Sequence, residues 1–405
     1  MKKWVCVLLA LALAVGTLSA KGGVEAPKGD VKIALWTQEG ESEGAFQFVK
    51  KLADAFTAKY PNITFDVLNK ETEALRQDFL AASLANSAPD LLLTVNDHAG
   101  PFSVAGVIQP VDSLFDLSQY VPSVVMDGKT WGLPVSSGNH LMLLYNKDMV
   151  KTPPATTDEL ISMGKTLTTG GKYALVWNQT EPFWLVPWLG GFGGEVFAKD
   201  GRTPTLDTPA MVNTLQFLYD LKAKYKITPM ESDYATMDTL FKEGKAAMII
   251  NGDWSLGDYK KAMGDKLGVA PIPMVSSTKK WPAPYTSGKY FMIPSSVTGD
   301  TLKAVVTFIN FYTDYDNQID MVKSLSRLPA LKKALDSEIV KNDPILKGSA
   351  AQMAKGTPMP SVVEMRCNWD SMKPEQNAVL AGTKTPADAA KAMQAAALAC
   401  IKTLQ

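Results

Sequence analysis

Short apolar runs alternate with amphipathic helical stretches along most of this chain, and that alternation constrains its fold more than any other feature. Residues 31–37 (VKIALWT) read as a strand. Over 44–60, Phe46, Val49, Ala53, Phe56 and Tyr60 fall three and four positions apart, which is one face of an α-helix. Pro61 and Asn62 stop that helix, and 63–68 reads as a second strand. A helix over 71–86 leads through Ala88-Pro89 to an apolar strand at 90–95. Strands linked by helices in this way imply a largely parallel α/β sheet.

The alternation resumes with new material. Strands are predicted at 129–135, 141–145, 173–177, 246–251, 267–271 and 290–293. Helices are predicted at 156–167, opened by the capping box of Thr156 and Glu159, and at 209–225, 237–242, 300–315, 317–325 and 386–404. No repeat and no low-complexity linker interrupts the 405 residues, so two lobes joined by crossing strands fit better than two domains on a tether.

The first twenty residues stand apart. Lys2 and Lys3 precede an uncharged Leu/Ala-rich run, and Leu18-Ser19-Ala20 is suited to cleavage, which predicts a secretory signal peptide removed near Ala20. Cys6 lies inside the apolar run rather than at the cleavage point, which argues against lipidation there. No later stretch reaches about eighteen apolar residues, so an exported, periplasmic protein is expected. Cleavage removes two Lys and changes the balance from 41 basic and 41 acidic residues to 39 and 41. Residues 22–30 read as a polar tether. In an oxidising compartment Cys367 and Cys400 either pair or remain two buried thiols, and sequence leaves both open.

Composition excludes several functions. Balanced charge argues against a general nucleic-acid binder. Two His, His98 and His140, cannot make a His-rich metal site, and neither metal nor cofactor is expected. There is no phosphate-binding loop of the G-x-x-x-x-G-K type, no H-E-x-x-H and no G-x-S-x-G; Gly190 to Gly194 reads as a turn.

What rises above this background is a set of aromatic and acidic residues after predicted strands. Trp36 precedes Gln38, Glu39, Glu41 and Glu43; Asn96-Asp97-His98 follows the 90–95 strand; Glu181-Pro182-Phe183-Trp184 follows 173–177; Asn251-Gly252-Asp253-Trp254 closes 246–251. In open α/β sheets ligands sit beyond the carboxyl ends of strands. A sugar ring has an apolar C–H face for aromatic rings and a rim of hydroxyls for carboxylates and amides. Core packing is the competing reading for each Trp taken singly. Glu39, Glu41 and Glu43 are either hydroxyl acceptors or a solvated helix start.

The segments DGKTWGLP (127–134), LLYNKDM (143–149), NQTEPFW (178–184), FKEGKAAMIINGDW (241–254) and MPSVVEMRCNW (359–369) carry a family resemblance. The chain resembles the extracellular solute-binding proteins of bacterial ABC sugar importers, in the maltose/maltodextrin-binding branch. The resemblance implies the two-lobe α/β periplasmic-binding-protein fold with discontinuous lobes, 27–138 with 289–327 and 142–285 with 334–405. Hinges are expected at 136–140 and 283–287. It implies an oligosaccharide in the cleft and delivery to the transmembrane subunits of an ABC permease. A monomer is expected, and presentation of ligand to a chemoreceptor is a compatible further role.

By motif position, Glu181 and Phe183 resemble the second-lobe acid and aromatic that hold sugar. Tyr234 resembles a further aromatic contact, Trp254 and Trp369 the two stacking Trp residues, Met359 a neighbouring contact, and Asp97 the first-lobe acid. Departures gather on the first lobe. Thr94 stands where the branch has Trp, His98 where it has Arg, Asn139 where it has an acid, and Gly40 and Glu41 near its Asp-Lys pair. With Trp36, Glu41, His98 and Asn139 these complete the expected ligand-binding set. The alternatives are a protein of the same fold for another solute, such as a different disaccharide, a polyamine, a metal complex or a peptide, or an exported glycoside-acting enzyme.

Overall fold

A computed structural model describes residues 26–41 and 44–404 of the chain. The expected signal peptide and Glu43 lie outside the described residues.

Two sheets organise two lobes. In the first lobe the strand order runs Leu328–Pro329, Leu133–Gly138, Tyr285–Pro294, Leu91–Val95, Val31–Thr37, Ile63–Asn69. Val31–Thr37 pairs in parallel with Ile63–Asn69 and with Leu91–Val95, as the strand–helix alternation predicts. The sheet is nevertheless mixed, because Tyr285–Pro294 is antiparallel to both of its long neighbours. That strand enters from the second lobe and so runs against the strands that start in the first. The second sheet has the order Leu267–Ala270, Leu141–Asn146, Ala246–Gly252, Tyr173–Val176, and only its last pair is parallel. The expectation of a largely parallel sheet is thus corrected to two mixed ones.

Local sequence explains the elements. Ile33, Leu35 and Thr37 alternate into the first core while their neighbours stay partly exposed. Helix Gly44–Lys59 buries Phe46, Val49, Ala53 and Phe56, four of the five residues of its predicted face, with the Phe56 ring 5.3 Å from Phe308. Every residue of Ala246–Gly252 is buried, as a central strand covered on both faces requires. Thr156 accepts from the Glu159 N–H at 3.3 Å, and the Glu159 carboxylate accepts from the Ala155 N–H at 2.7 Å, so the capping pair does open helix Thr157–Leu167. The strand read at 129–135 is two pieces, Lys129–Thr130 and Leu133–Gly138.

Helix Glu364–Leu380 was not foreseen. It carries Pro374 in its interior and a polar outer face, which mask its periodicity; Met365, Cys367, Met372 and Val379 bury it against the second core. Cys367 forms a disulfide with Cys400 across a Cα–Cα distance of 5.6 Å, which settles the open alternative and ties this helix to Pro386–Lys402. Replacing both Cys by Ala is expected to destabilise the protein by about 3–4 kcal/mol, chiefly by freeing the unfolded chain. An unchanged denaturation midpoint for the double variant would contradict that.

The chain passes between the two sheets after Gly138, before Tyr285 and beyond Pro329. At the first crossing Gly138 and Asn139 have positive φ, 134° and 44°. Gly138 is needed there, since a Cβ would lie 2.3 Å from Asp253 Oδ2, and the same carboxylate accepts from the His140 N–H at 3.2 Å. Among the described residues no helix is long and apolar enough to cross a membrane.

Candidate functional site

Four strand ends and one helix face deliver the side chains. Asp253 and Trp254 follow the buried strand Ala246–Gly252; Glu181 and Phe183 follow Tyr173–Val176; Asn96, Asp97 and His98 follow Leu91–Val95; Glu39 follows Val31–Thr37. On helix Glu364–Leu380, Trp369 and Lys373 are spaced four apart and share one face.

On the second lobe the rings form one group. Phe183 lies 6.1 Å from Trp254 and 6.3 Å from Trp369, centroid to centroid. Trp254 Nε1–H donates to the Tyr234 hydroxyl at 3.0 Å. Trp184 backs the group edge-on, 6.1 Å from Trp254 and 6.2 Å from Tyr234, with its Nε1–H held by the Ile250 carbonyl. Tyr285, on the second crossing, stands edge-on to Trp369 at 6.0 Å. Phe183, Tyr234, Trp254 and Trp369 are only partly buried and pack at the margin of the second core.

The first lobe faces these rings with a carboxylate. Asp97 Oδ2 accepts from Trp369 Nε1–H at 3.2 Å, which links the lobes, while Oδ1 is buried without a protein partner. An unpaired buried acceptor is costly, about 1–3 kcal/mol, and is satisfied by a donor such as a hydroxyl. Burial pushes the Asp97 carboxyl up to about 6, against the bond from Trp369 that lowers it. The lobes also touch through backbone. Asn96 Nδ2–H donates to the Met359 carbonyl at 2.8 Å, and a Cβ on Gly100 would lie 2.2 Å from the Ser361 carbonyl oxygen.

The structure brings Asp97, Phe183, Tyr234, Trp254 and Trp369 together, with Glu181 joined to them through its ion pair with Lys373 on the Trp369 helix. Met359 is buried beside them in the second core. The remaining expected residues have other immediate neighbours. Trp36 packs in a separate first-lobe cluster with the Lys70 ammonium 4.4 Å above its ring. Glu41 is exposed. Asn139 is buried at the first crossing. His98 is buried with its ring 5.6 Å from Phe102. The Thr94 hydroxyl donates to Gln38 Oε1 at 3.0 Å, so it accepts from His98 Nδ1–H at 2.8 Å. Burial, with Lys289 nearby, lowers the His98 pKa to about 3 and keeps the ring neutral.

Sequence reasoning missed Arg327. It holds Glu39 through two bonds, 2.6 and 2.9 Å, and reaches the Trp254 carbonyl at 3.4 Å. Neither alternative offered for Glu39 is what the structure places there. It missed Lys289 too, whose ammonium stands 5.9 Å from the Trp254 ring centroid. Only the i, i+4 spacing of Trp369 and Lys373 hinted at Lys373, and that signal needed the unforeseen helix. Among the described residues no group of three His, Cys, Asp or Glu is placed to hold a metal ion.

This geometry, rings from one lobe and a carboxylate from the other, accords with the family comparison. The model of the bacterial extracellular solute-binding protein family matches residues 51–348, more than half of the chain. The chain belongs to that family. A maltose/maltodextrin-binding domain from Bdellovibrio bacteriovorus, solved bound to maltotriose, is 38% identical, with a TM-score of 0.89 over 92% of this chain and 100% of that one. The maltotriose-binding protein of Thermus thermophilus, bound with maltotriose, is 27% identical with a TM-score of 0.84, over 91% of this chain and 100% of that one. The maltotriose-binding protein of Pyrococcus abyssi is 27% identical over 361 residues, 86% of this chain and 77% of the relative. The resemblance to the maltodextrin branch and the two-lobe fold are therefore borne out for this solute-binding protein.

Proposed function

We propose that this solute-binding protein holds a maltodextrin-type oligosaccharide in the cleft between its lobes and delivers it to an ABC permease. The reading rests chiefly on the ring group of Phe183, Tyr234, Trp254 and Trp369 facing the part-unpaired carboxylate of Asp97. The rings cover apolar sugar faces, and Asp97 accepts a hydroxyl. Glu181 is the second-lobe acceptor, and Met359 lines the same cleft. Trp36, Glu41, His98 and Asn139 complete the proposed ligand-binding set on the first-lobe side and at the first crossing.

The charges favour a neutral ligand. The acids Glu39 and Glu181 are already paired with Arg327 and Lys373, and Lys289 stands near Trp254. A polyamine entering here would meet these cations. The protein works by binding, without catalysis, as an exported monomer in the periplasm freed of its leader near Ala20. Its lobes divide at 27–138 with 289–327 and 142–285 with 334–405, with hinges at 136–140 and 283–287. Micromolar affinity amounts to roughly −8 kcal/mol, part of which draws the lobes together by differential affinity for the closed form. The permease reads that closed form, and a chemoreceptor can read the same surface.

A thermal-shift screen over maltose, longer maltodextrins, a polyamine and a peptide tests the ligand class. A maltodextrin at about 100 times Kd adds roughly 2.7 kcal/mol of stability. A shift given by the polyamine or peptide and by no sugar would overturn the assignment.

Asp97 makes binding pH-dependent. Its carboxyl ionises near 6, and the ionised form is the stronger hydroxyl acceptor. Maltotriose affinity is therefore expected to fall as pH drops through about 6, and Asp97→Asn to flatten that dependence in a calorimetric pH series. The effect on stability has the opposite sign. The folded state retains a proton that the unfolded chain has lost, so the contribution of Asp97 declines as pH rises from its ordinary value of 3.8 through about 6.

A further inference from the structure

A row of alternating charge crosses the cleft beside the ring group. On the first lobe, helix Thr72–Leu84 is anchored by fully buried Leu75 and Phe79. Glu71 caps its start by accepting from the Glu73 and Ala74 N–H groups, which fixes the backbone of Glu73. The Glu73 carboxylate accepts from Arg76 Nε–H with both oxygens at 2.9 Å. From the second lobe, Arg366 Nη1–H reaches the same carboxylate at 3.3 Å, while Arg366 Nε–H donates to Asp370 at 2.8 Å. The order is Arg76, Glu73, Arg366, Asp370. The lobes meet at its central link.

The second-lobe half of that link sits on the helix that also carries Trp369. Arg366 precedes Trp369 by three residues, and Trp369 makes the neighbouring crossing bond to Asp97. Cys367 lies between them and its disulfide to Cys400 holds this stretch to the second core. Glu73 and Arg366 are therefore each carried on a firmly held element, one per lobe. Parting the lobes separates the two charges while leaving each with its partner from its own lobe, Arg76 or Asp370.

We propose that the Glu73–Arg366 ion pair is an electrostatic latch that holds the lobes shut over bound ligand and sets how fast it leaves. The inference rests on the binding reading above and names the residues that regulate it. The pair is partly exposed, so its worth is modest and salt-sensitive, about a two- to five-fold change in the closing equilibrium. Closure follows encounter, so the change appears in the dissociation rate.

The test is stopped-flow binding of maltotriose to wild type, Glu73→Gln, Arg366→Gln and the double variant, at low and high salt. Each single variant is expected to raise the dissociation rate about two- to five-fold with the association rate unchanged. The double variant should do no more than either single one, and high salt should speed release from wild type alone. Additive single effects, an unchanged dissociation rate, or equal salt responses in wild type and variants would overturn the latch. If wild type fails to bind maltotriose, the ligand reading falls separately. Small-angle scattering without sugar then decides the latch. Larger radii for the variants at low salt, converging at high salt, support it; equal radii at both overturn it.

Discussion

Glu39→Gln is expected to destabilise the protein by about 3–5 kcal/mol, although Glu39 touches no ring of the site. The carboxylate accepts from Arg327 Nη1–H at 2.6 Å and Nη2–H at 2.9 Å, and both side chains are 4% exposed. Burial alone would raise the Glu39 carboxyl; Arg327 and Lys289 beside it hold it below its ordinary value. A lowered carboxyl stabilises the fold at neutral pH, and that contribution is lost as pH falls below the usual carboxylate range. With Gln at 39, the buried guanidinium loses the carboxylate that both its Nη groups hold. The position spreads the effect. Arg327 immediately precedes strand Leu328–Pro329, which pairs with the strand Leu133–Gly138 of the first crossing, and it also reaches the Trp254 carbonyl. Denaturant unfolding of Glu39→Gln, Arg327→Met and the double variant checks this. The double variant should recover much of the loss, because removing both charges leaves neither unpaired. A Glu39→Gln midpoint equal to wild type would refute the account of the pair.

The second large effect is on binding. Trp254→Ala and Trp369→Ala are each expected to weaken maltotriose binding by about 2 kcal/mol or more, roughly 30-fold. Both rings are partly buried at the margin of the second core, with Phe183 between them at 6.1 and 6.3 Å. The two positions should differ in a second readout. Trp254→Ala removes the donor to the Tyr234 hydroxyl, within one lobe, whereas Trp369→Ala removes the donor to Asp97, across the lobes. A Phe at 369 keeps a ring over Asp97 but takes away the bond that lowers its carboxyl, so its ionisation shifts to higher pH. Trp369→Phe should therefore move the pH dependence of affinity upward, and Trp254→Ala should leave it in place. Calorimetric titration over a pH series separates them, and wild-type affinity in both Ala variants would refute the stacking role.

Sequence showed much of the second-lobe half of the site because its residues sit in short contiguous motifs. Glu181 and Phe183 lie within one seven-residue segment, and Trp254 lies two residues beyond a strand whose apolar run announces a buried position. Asp97 was legible for the same reason, placed two residues beyond the strand Leu91–Val95. What stayed hidden depends on long-range pairing. Arg327 is 288 residues from Glu39, and nothing local to either predicts a buried ion pair. Helix Glu364–Leu380 was masked by Pro374 and by a polar face whose partners lie on other elements, so Arg366 and Lys373 had no visible helix to sit on. The fold was read correctly as two α/β lobes, but strand direction was not. A strand entering from the opposite lobe has the same composition whichever way it runs, and only the crossings reverse Tyr285–Pro294.

The central claim is that the rings of one lobe and Asp97 of the other enclose a maltodextrin-type sugar and release it unchanged. Calorimetric titration of maltotriose into the purified protein, with the sugar recovered and sized afterwards, tests it most directly. Saturable one-to-one binding with intact trisaccharide recovered is the expected result. No binding heat with any maltodextrin at any temperature tried, or recovery of shorter sugars, would contradict it.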